Sequence, residues 1–527
     1  MTYFGPEYFA LFLPIVALLY SIMPKKVRPF VLLLASYQFF WLISGKLIAY
    51  LLFSTVSIHH FGLWLDKLQR EKKLAVKGLE KEEKKSVKAA FDRQQNLVLA
   101  FAVIIHIGLL AVLKYTPFAV SNLNLILAHF NVQVSKISFM VPIGISFYTL
   151  QAVSYMTDVR RGTVKADKNL FRLALYMSFF PQTMEGPIAR YSDTAQQLFN
   201  GKQIDYNNFV FGFERIVFGL FKKIIIADRL NEFVKSVFDQ YEKYDGGIIL
   251  IAAIAYTVEL YMDFSGAMDI GIGSARIFGV KLPENFRQPF FSKSISEFWT
   301  RWHITLGTWF RDYVYYPVSF SGFSKKLTAA GRKRLGNYFG PLMAGTIALF
   351  CVWLCNGIWH GSAWMYIFFG MYHFAMIFTG NLFNPVITKI CSKLHINREK
   401  GPVAAIRIVK TSFLVVLGEI FFRAHGLAEG LQMFAKIFTN FSLKGITSGD
   451  ITKAGLDYLD VIVVLIAVAA VFIISVLKEK NVDICQRLSE KNIVLRWGVI
   501  LAAVTCIIVF GAYGAEYIPV APMYADF

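Results

Sequence analysis

The sequence predicts an all-α polytopic membrane protein, and three observations carry that reading. Of its 527 residues 56% are hydrophobic and only 17% charged, with a mean hydropathy of +0.49, too apolar for a water-soluble chain of this length. Apolar runs long enough to cross roughly 30 Å of hydrocarbon recur along the whole chain. Much of the Lys and Arg behind the net charge of +20 sits in short loops beside those runs. That is the positive-inside distribution, and it does not suit a nucleic-acid partner.

The first run, 8–23, lacks a basic leader and a small-residue cleavage site, so it reads as an anchored helix rather than a removed signal peptide. Runs at 28–44 and 47–65 follow, with the basic loop "MPKKVR" at 23–28. The stretch "DKLQREKKLAVKGLEKEEKKSVKAAFDRQQ" (66–95) holds ten Lys/Arg against six Asp/Glu and reads as a helical hairpin or solvated helix. Both basic loops are cytoplasmic if the N-terminus lies outside, which is the expected orientation in a bacterial plasma membrane. Further runs lie at 96–114, 139–156, 170–186, 207–227 and 247–265; those at 170–186 and 207–227 carry Pro, Lys, Arg or Glu and read as partial or re-entrant. Beyond a long break come 338–356, 364–383, 403–422, 459–477 and 496–513, for about 11 to 13 membrane helices in all.

The break, 266–335, mixes Trp, Phe and Tyr with Arg, Asp, Glu and His, which suits helices lying in the membrane interface. Within "SEFWTRWHITLGTWFRDY" Ser296 is placed to N-cap a helix on which Trp299, His303 and Leu306 share one stripe. Arg311 and Asp312 are expected to form ion pairs there. The other unusual stretch is "GIWHGSAW" (357–364), which sets His360 between Trp359 and Gly361, with apolar runs on both sides. A lone histidine there is more often a satisfied core residue than a catalyst. Gly357 and Gly361 leave room either for a substrate or for close backbone approach, and Asn356 either orients His360 or caps a helix end.

Other polar groups have plainer readings. Glu259 and Asp263 are costly in lipid and should face protein or water, as structural partners or as tunnel charges. His59 and His60 diverge by about 100° on a helix and make no joint metal site. His106 and His373 read as core or interfacial, and His129, His395 and His425 as loop residues. The five cysteines show no metal or disulfide spacing, and no metal site is expected. "GIGSARIFG" (271–279) lacks the βαβ context of a nucleotide loop.

"EFWTRWHITLGTWFRDYVYYP", followed by "NGIWHGSAWMYIFFGMYH", resembles the paired signature of the membrane-bound O-acyltransferase family, in its alginate O-acetylase branch, related to teichoic-acid D-alanyl transfer proteins. "VPIGISFYTLQAVSYMTDVRRG", "FFPQTMEGPIARY", "YMDFSGAMDIGIGSARIFG", "FFRAHGLAEG" and "GAYG" follow the same order; Glu185 departs from the small residue usual before "GPI". The resemblance implies one membrane domain over 1–527: N-terminal helices in 1–138, a catalytic core in 139–383 and C-terminal helices in 384–527. It also implies a ring of helices around a central funnel, with His360 as catalytic base and His303 on the donor side. Trp359, Asn356, Trp302, Arg311 and Glu185 are then the expected substrate contacts, with Arg190 and Gln151 further candidates on the acceptor side. No tightly bound cofactor is expected. The donor would be a cytoplasmic thioester, acetyl-CoA or an acyl carrier protein. The partners would be membrane lipid and an extracytoplasmic acyltransferase or acceptor polymer. From the residues alone a proton-coupled transporter stays open, since intramembrane His, Glu and Asp also build proton relays.

Overall fold

The computed structural model describes residues 2–513, and among these no strand occurs. Among the described residues seven helices are long and apolar enough to cross a membrane, and a shorter apolar helix covers Tyr8–Ile22. The other expected spans are shorter or more polar helices. The span at 170–186 is two pieces, Leu170–Ser178 and Phe180–Thr183, broken at Phe179. The one at 207–227 is Tyr206–Leu220 followed by the π-helical turn Phe221–Ala227. "GAYG" runs past the described residues, and the remaining C-terminal tail lies outside them.

The chain packs as two compact units. The first comprises residues 2–216 and Ile270–Pro283. Its basic stretch 66–95 is the expected helical hairpin: Ile48–Ala75 turns into Lys81–Leu127, pinned by Lys72 to Asp92 at 2.7 Å and by the Gln95 amide donating to Gln69 at 2.8 Å. Its core is aromatic. Tyr3 stacks on Phe39 with ring centroids 5.3 Å apart, and the Tyr8 hydroxyl donates to Ser274 Oγ at 2.9 Å.

The second unit holds Val217–Asp269 and the described chain from Glu284 onward. Here the buried charges pair inside the protein, as their cost in hydrocarbon requires. Lys222 meets Asp269 at 2.6 Å, Lys223 meets Asp263 at 2.7 Å and Asp228 at 2.8 Å, and the Asn231 amide donates to Glu259 at 2.6 Å. Glu259 and Asp263 therefore take the structural-partner reading.

The helix Gly322–His360 is interrupted at Gly336, whose φ of 80° favours glycine. The chain folds back there, so closely that a Cβ on Gly340 would lie 2.4 Å from the Arg332 nitrogen. The membrane-length part thus starts after Gly336 and ends at His360. It crosses Trp364–Lys393 at Gly357 and Gly370, where a Cβ on Gly357 would lie 2.5 Å from the Tyr366 carbonyl oxygen. A Cβ on Gly361 would sit 2.1 Å from Tyr366 Cε2. Close packing, against the Tyr366 backbone at Gly357 and against the Tyr366 ring at Gly361, rather than substrate room, accounts for both glycines.

Candidate active site

The segment around His303 departs from the expected continuous helix. Ser294, not Ser296, is the N-cap, its Oγ accepting from the Glu297 amide at 3.1 Å, and the helix Ile295–Arg301 ends after one short run. His303 then takes a left-handed φ of 45° and a second helix, Ile304–Phe310, begins. The stripe of Trp299, His303 and Leu306 on one helix is therefore overturned. A non-glycine residue in this region of backbone space is held there by its surroundings. The holder is Asn285: its carbonyl accepts from the Ile304 amide at 2.9 Å and its side-chain oxygen from the Thr305 amide at 3.1 Å. Asn285 thus supplies the cap that His303 does not.

His303 is 2% exposed, with Nδ1 3.2 Å from Asn285 Oδ1 and its ring 4.8 Å from that of Phe264. On its other side lies the indole of Trp359, centroids 5.8 Å apart, and that indole in turn meets His360 at 5.0 Å. His360, 4% exposed, closes the helix that carries it and packs edge-on against Phe422 at 5.1 Å and Phe369 at 6.1 Å. Two imidazoles thus flank one indole. Trp302, the residue before His303, packs on Phe286 and Phe298, at 5.1 and 5.4 Å.

A cavity of about 870 Å³ in the second unit is lined by His303, Trp302, Arg311 and Asn356 among others, and its wall is mostly apolar. It follows the helix from Asn356 back to Tyr338, about 27 Å of helical rise. Asn356 lies one turn before the helix ends, so it does not cap it; its Oδ1, with no hydrogen-bond partner among the described residues, belongs to a residue lining the cavity. Arg311 pairs with its neighbour Asp312 at 2.9 Å, as expected of an ion pair in this segment. Trp359 and His360 are not among the cavity's lining residues. Glu185 belongs to the first unit, buried at the turn after Met184.

His373 and His106 have partners within the protein. His373 accepts the Trp299 indole N–H at 3.2 Å and is fully buried. His106 bonds the Ala102 carbonyl one turn earlier at 2.9 Å. Among the described residues no group of three or more His, Cys, Asp or Glu could hold a metal ion. Sequence reasoning missed Asn285, which no motif marks. It also missed a charge pattern that the sequence does carry: between Tyr313 and Arg398 there is no Asp or Glu, while Lys325, Lys326, Arg332, Lys333 and Arg334 flank the Gly336 turn beside the Tyr338 end of the cavity.

The model of the membrane-bound O-acyltransferase family matches residues 99–331, a range that includes His303 and stops before His360. The chain is similar to the probable alginate O-acetylase AlgI of Azotobacter vinelandii, 32% identical over 472 residues, covering 89% of this chain and 83% of that protein. It is similar to the peptidoglycan O-acetyltransferase of Helicobacter pylori, 28% identical over 393 residues, covering 69% and 68%. It is also similar to the teichoic acid D-alanyltransferase of Bacillus subtilis, 32% identical over 251 residues, covering 47% and 60%.

Proposed function

The chain belongs to the membrane-bound O-acyltransferase family, and from that premise we propose that it moves an acetyl group from a cytoplasmic thioester to a hydroxyl bound for a cell-surface polymer. The observation that carries the proposal is the pair of buried imidazoles on either side of the Trp359 indole, one of them lining the cavity. His360 takes the proton of the acceptor hydroxyl as its oxygen attacks the thioester carbonyl. The tetrahedral intermediate then collapses to the ester, and the departing thiolate recovers that proton from the imidazolium. Base assistance of this kind is typically worth about 10²- to 10⁴-fold.

In this reading the donor arm lies in the cavity, where His303, Trp302, Asn356 and Arg311 position the thioester. The acid-free, basic stretch at its far end suits an anionic donor, whether the phosphates of CoA or an acidic carrier protein. The resemblance implies acceptor-side roles for Glu185, Arg190 and Gln151, and an extracytoplasmic acyltransferase or the polymer itself receives the group. The basic loops at 23–28 and 66–95 support a cytoplasmic placement of both and an N-terminus outside.

The test is incubation of the purified protein with labelled acetyl-CoA, and separately with a D-alanyl carrier protein, while thioester loss is followed. Acetyl-CoA consumption that depends on His360 is expected. Use of the D-alanyl carrier alone would change the acyl group and leave the chemistry in place. Proton flux into vesicles without thioester loss would make the protein a transporter and overturn the proposal.

A further inference from the structure

We propose that Asn285 is a positioning residue that fixes the His303 imidazole as its Nδ1–H tautomer and thereby makes Nε2 the basic nitrogen of that ring. The inference rests on the reading of His303 as a donor-site residue only for its catalytic consequence; the tautomer follows from geometry alone. A backbone N–H can only donate, so the Asn285 atom 3.1 Å from the Thr305 nitrogen is the amide oxygen. The Thr305 hydroxyl donates to the same oxygen at 2.9 Å. His303 Nδ1 lies 3.2 Å from it, and a lone pair facing that oxygen would be repelled, so Nδ1 carries the hydrogen. The amide nitrogen of Asn285 has no hydrogen-bond partner among the described residues, so its oxygen is the end the site uses.

The same residue also sets the ring's position. Its carbonyl and side-chain oxygens hold the first two amides of Ile304–Phe310, and the left-handed turn at His303 precedes them directly. Asn285 is 1% exposed and comes from the loop before Ile295–Arg301, so helix start, backbone turn and ring tautomer are fixed from one buried side chain. An orienting acceptor on the far nitrogen of a working imidazole is a general device for holding it in one tautomer. Here the acceptor is neutral. The ring is oriented without being made more basic by an anion, which suits a group that contacts a thioester more than one that must strip a proton from a hydroxyl.

The experiment reads the tautomer directly, on full-length protein in detergent with ¹⁵N-labelled histidine. The His303 signals are identified by their loss in His303→Gln, and long-range ¹H–¹⁵N correlations report which nitrogen is protonated. The wild-type protein is expected to show Nδ1–H. Asn285→Ala should shift His303 to Nε2–H or a mixture, and Asn285→Asp, which keeps the acceptor, should restore Nδ1–H. An Nε2–H wild-type ring overturns the proposal and needs no variant to fold; so does an unchanged spectrum in Asn285→Ala. In turnover of acetyl-CoA, Asn285→Ala should lower kcat about tenfold in the wild-type background and not at all in His303→Gln. An equal loss in both backgrounds would show that Asn285 does not act through His303. A protein that shows the expected tautomers yet leaves acetyl-CoA untouched would refute the donor assignment and leave this one standing.

Discussion

His360 sits where hydrocarbon is expected because three rings and a helix terminus hold it there: Trp359, Phe369 and Phe422 enclose the imidazole, and the helix stops at it. Replacing it by Ala should leave insertion and thermal unfolding nearly unchanged and reduce acyl transfer by about 10²- to 10⁴-fold. His360→Gln should fare no better, since an amide does not accept the proton. Near wild-type turnover in folded His360→Ala would move the base to His303. This stretch was conspicuous in the sequence because "WHG" stands out against apolar neighbours. Asn285 was not, because its contacts to His303 and Thr305 join positions 18 and 20 residues apart through a loop that has no periodicity.

At the scale of elements, the crossing at Gly357 and Gly370 sets where His360 stands. Gly357→Ala would drive a methyl to 2.5 Å from the Tyr366 carbonyl, so the helices must separate. Overpacking of this kind costs typically about 1–3 kcal/mol. A lowered Tm together with reduced turnover is expected, and an unchanged Tm would show that the crossing yields freely. The loop that follows is tied electrostatically: hydrogen bonds from Lys293 and Arg407 pull Glu399 down to about 2. A depressed carboxylate contributes stability that is complete above its ordinary value of 4.5 and is lost as pH falls through about 2. Glu399 is largely exposed, so screening keeps this below about 1 kcal/mol. Unfolding followed between pH 5 and 2 should therefore differ slightly between the wild-type protein and Glu399→Gln, with the difference vanishing at the acid end. Span positions were readable from hydropathy, whereas the breaks were not. The turn at Gly336 and the left-handed His303 are decided by tertiary contacts, and the reading of Trp299, His303 and Leu306 as one helix failed for that reason.

For the molecule as a whole, charge placement orders the chain. If 23–28 and 66–95 are cytoplasmic, cysteines at Thr2 and Ser86 label from opposite sides, and labelling of Ser86→Cys from outside intact cells would invert the topology. The two-unit packing was not legible, because the second unit joins Val217–Asp269 to residues after Glu284 and no composition change marks the joins. The rings of Phe264, His303, Trp359, His360 and Phe422 follow one another at 4.8, 5.8, 5.0 and 5.1 Å. Spacings like these leave no space for water between neighbouring rings, and the expected outcome is that ions do not pass along this run. Vesicles containing the enzyme should hold a pH gradient as long as empty ones, and rapid decay would show that the run opens. If the gradient holds, a membrane can carry such a catalyst without losing the voltage across it.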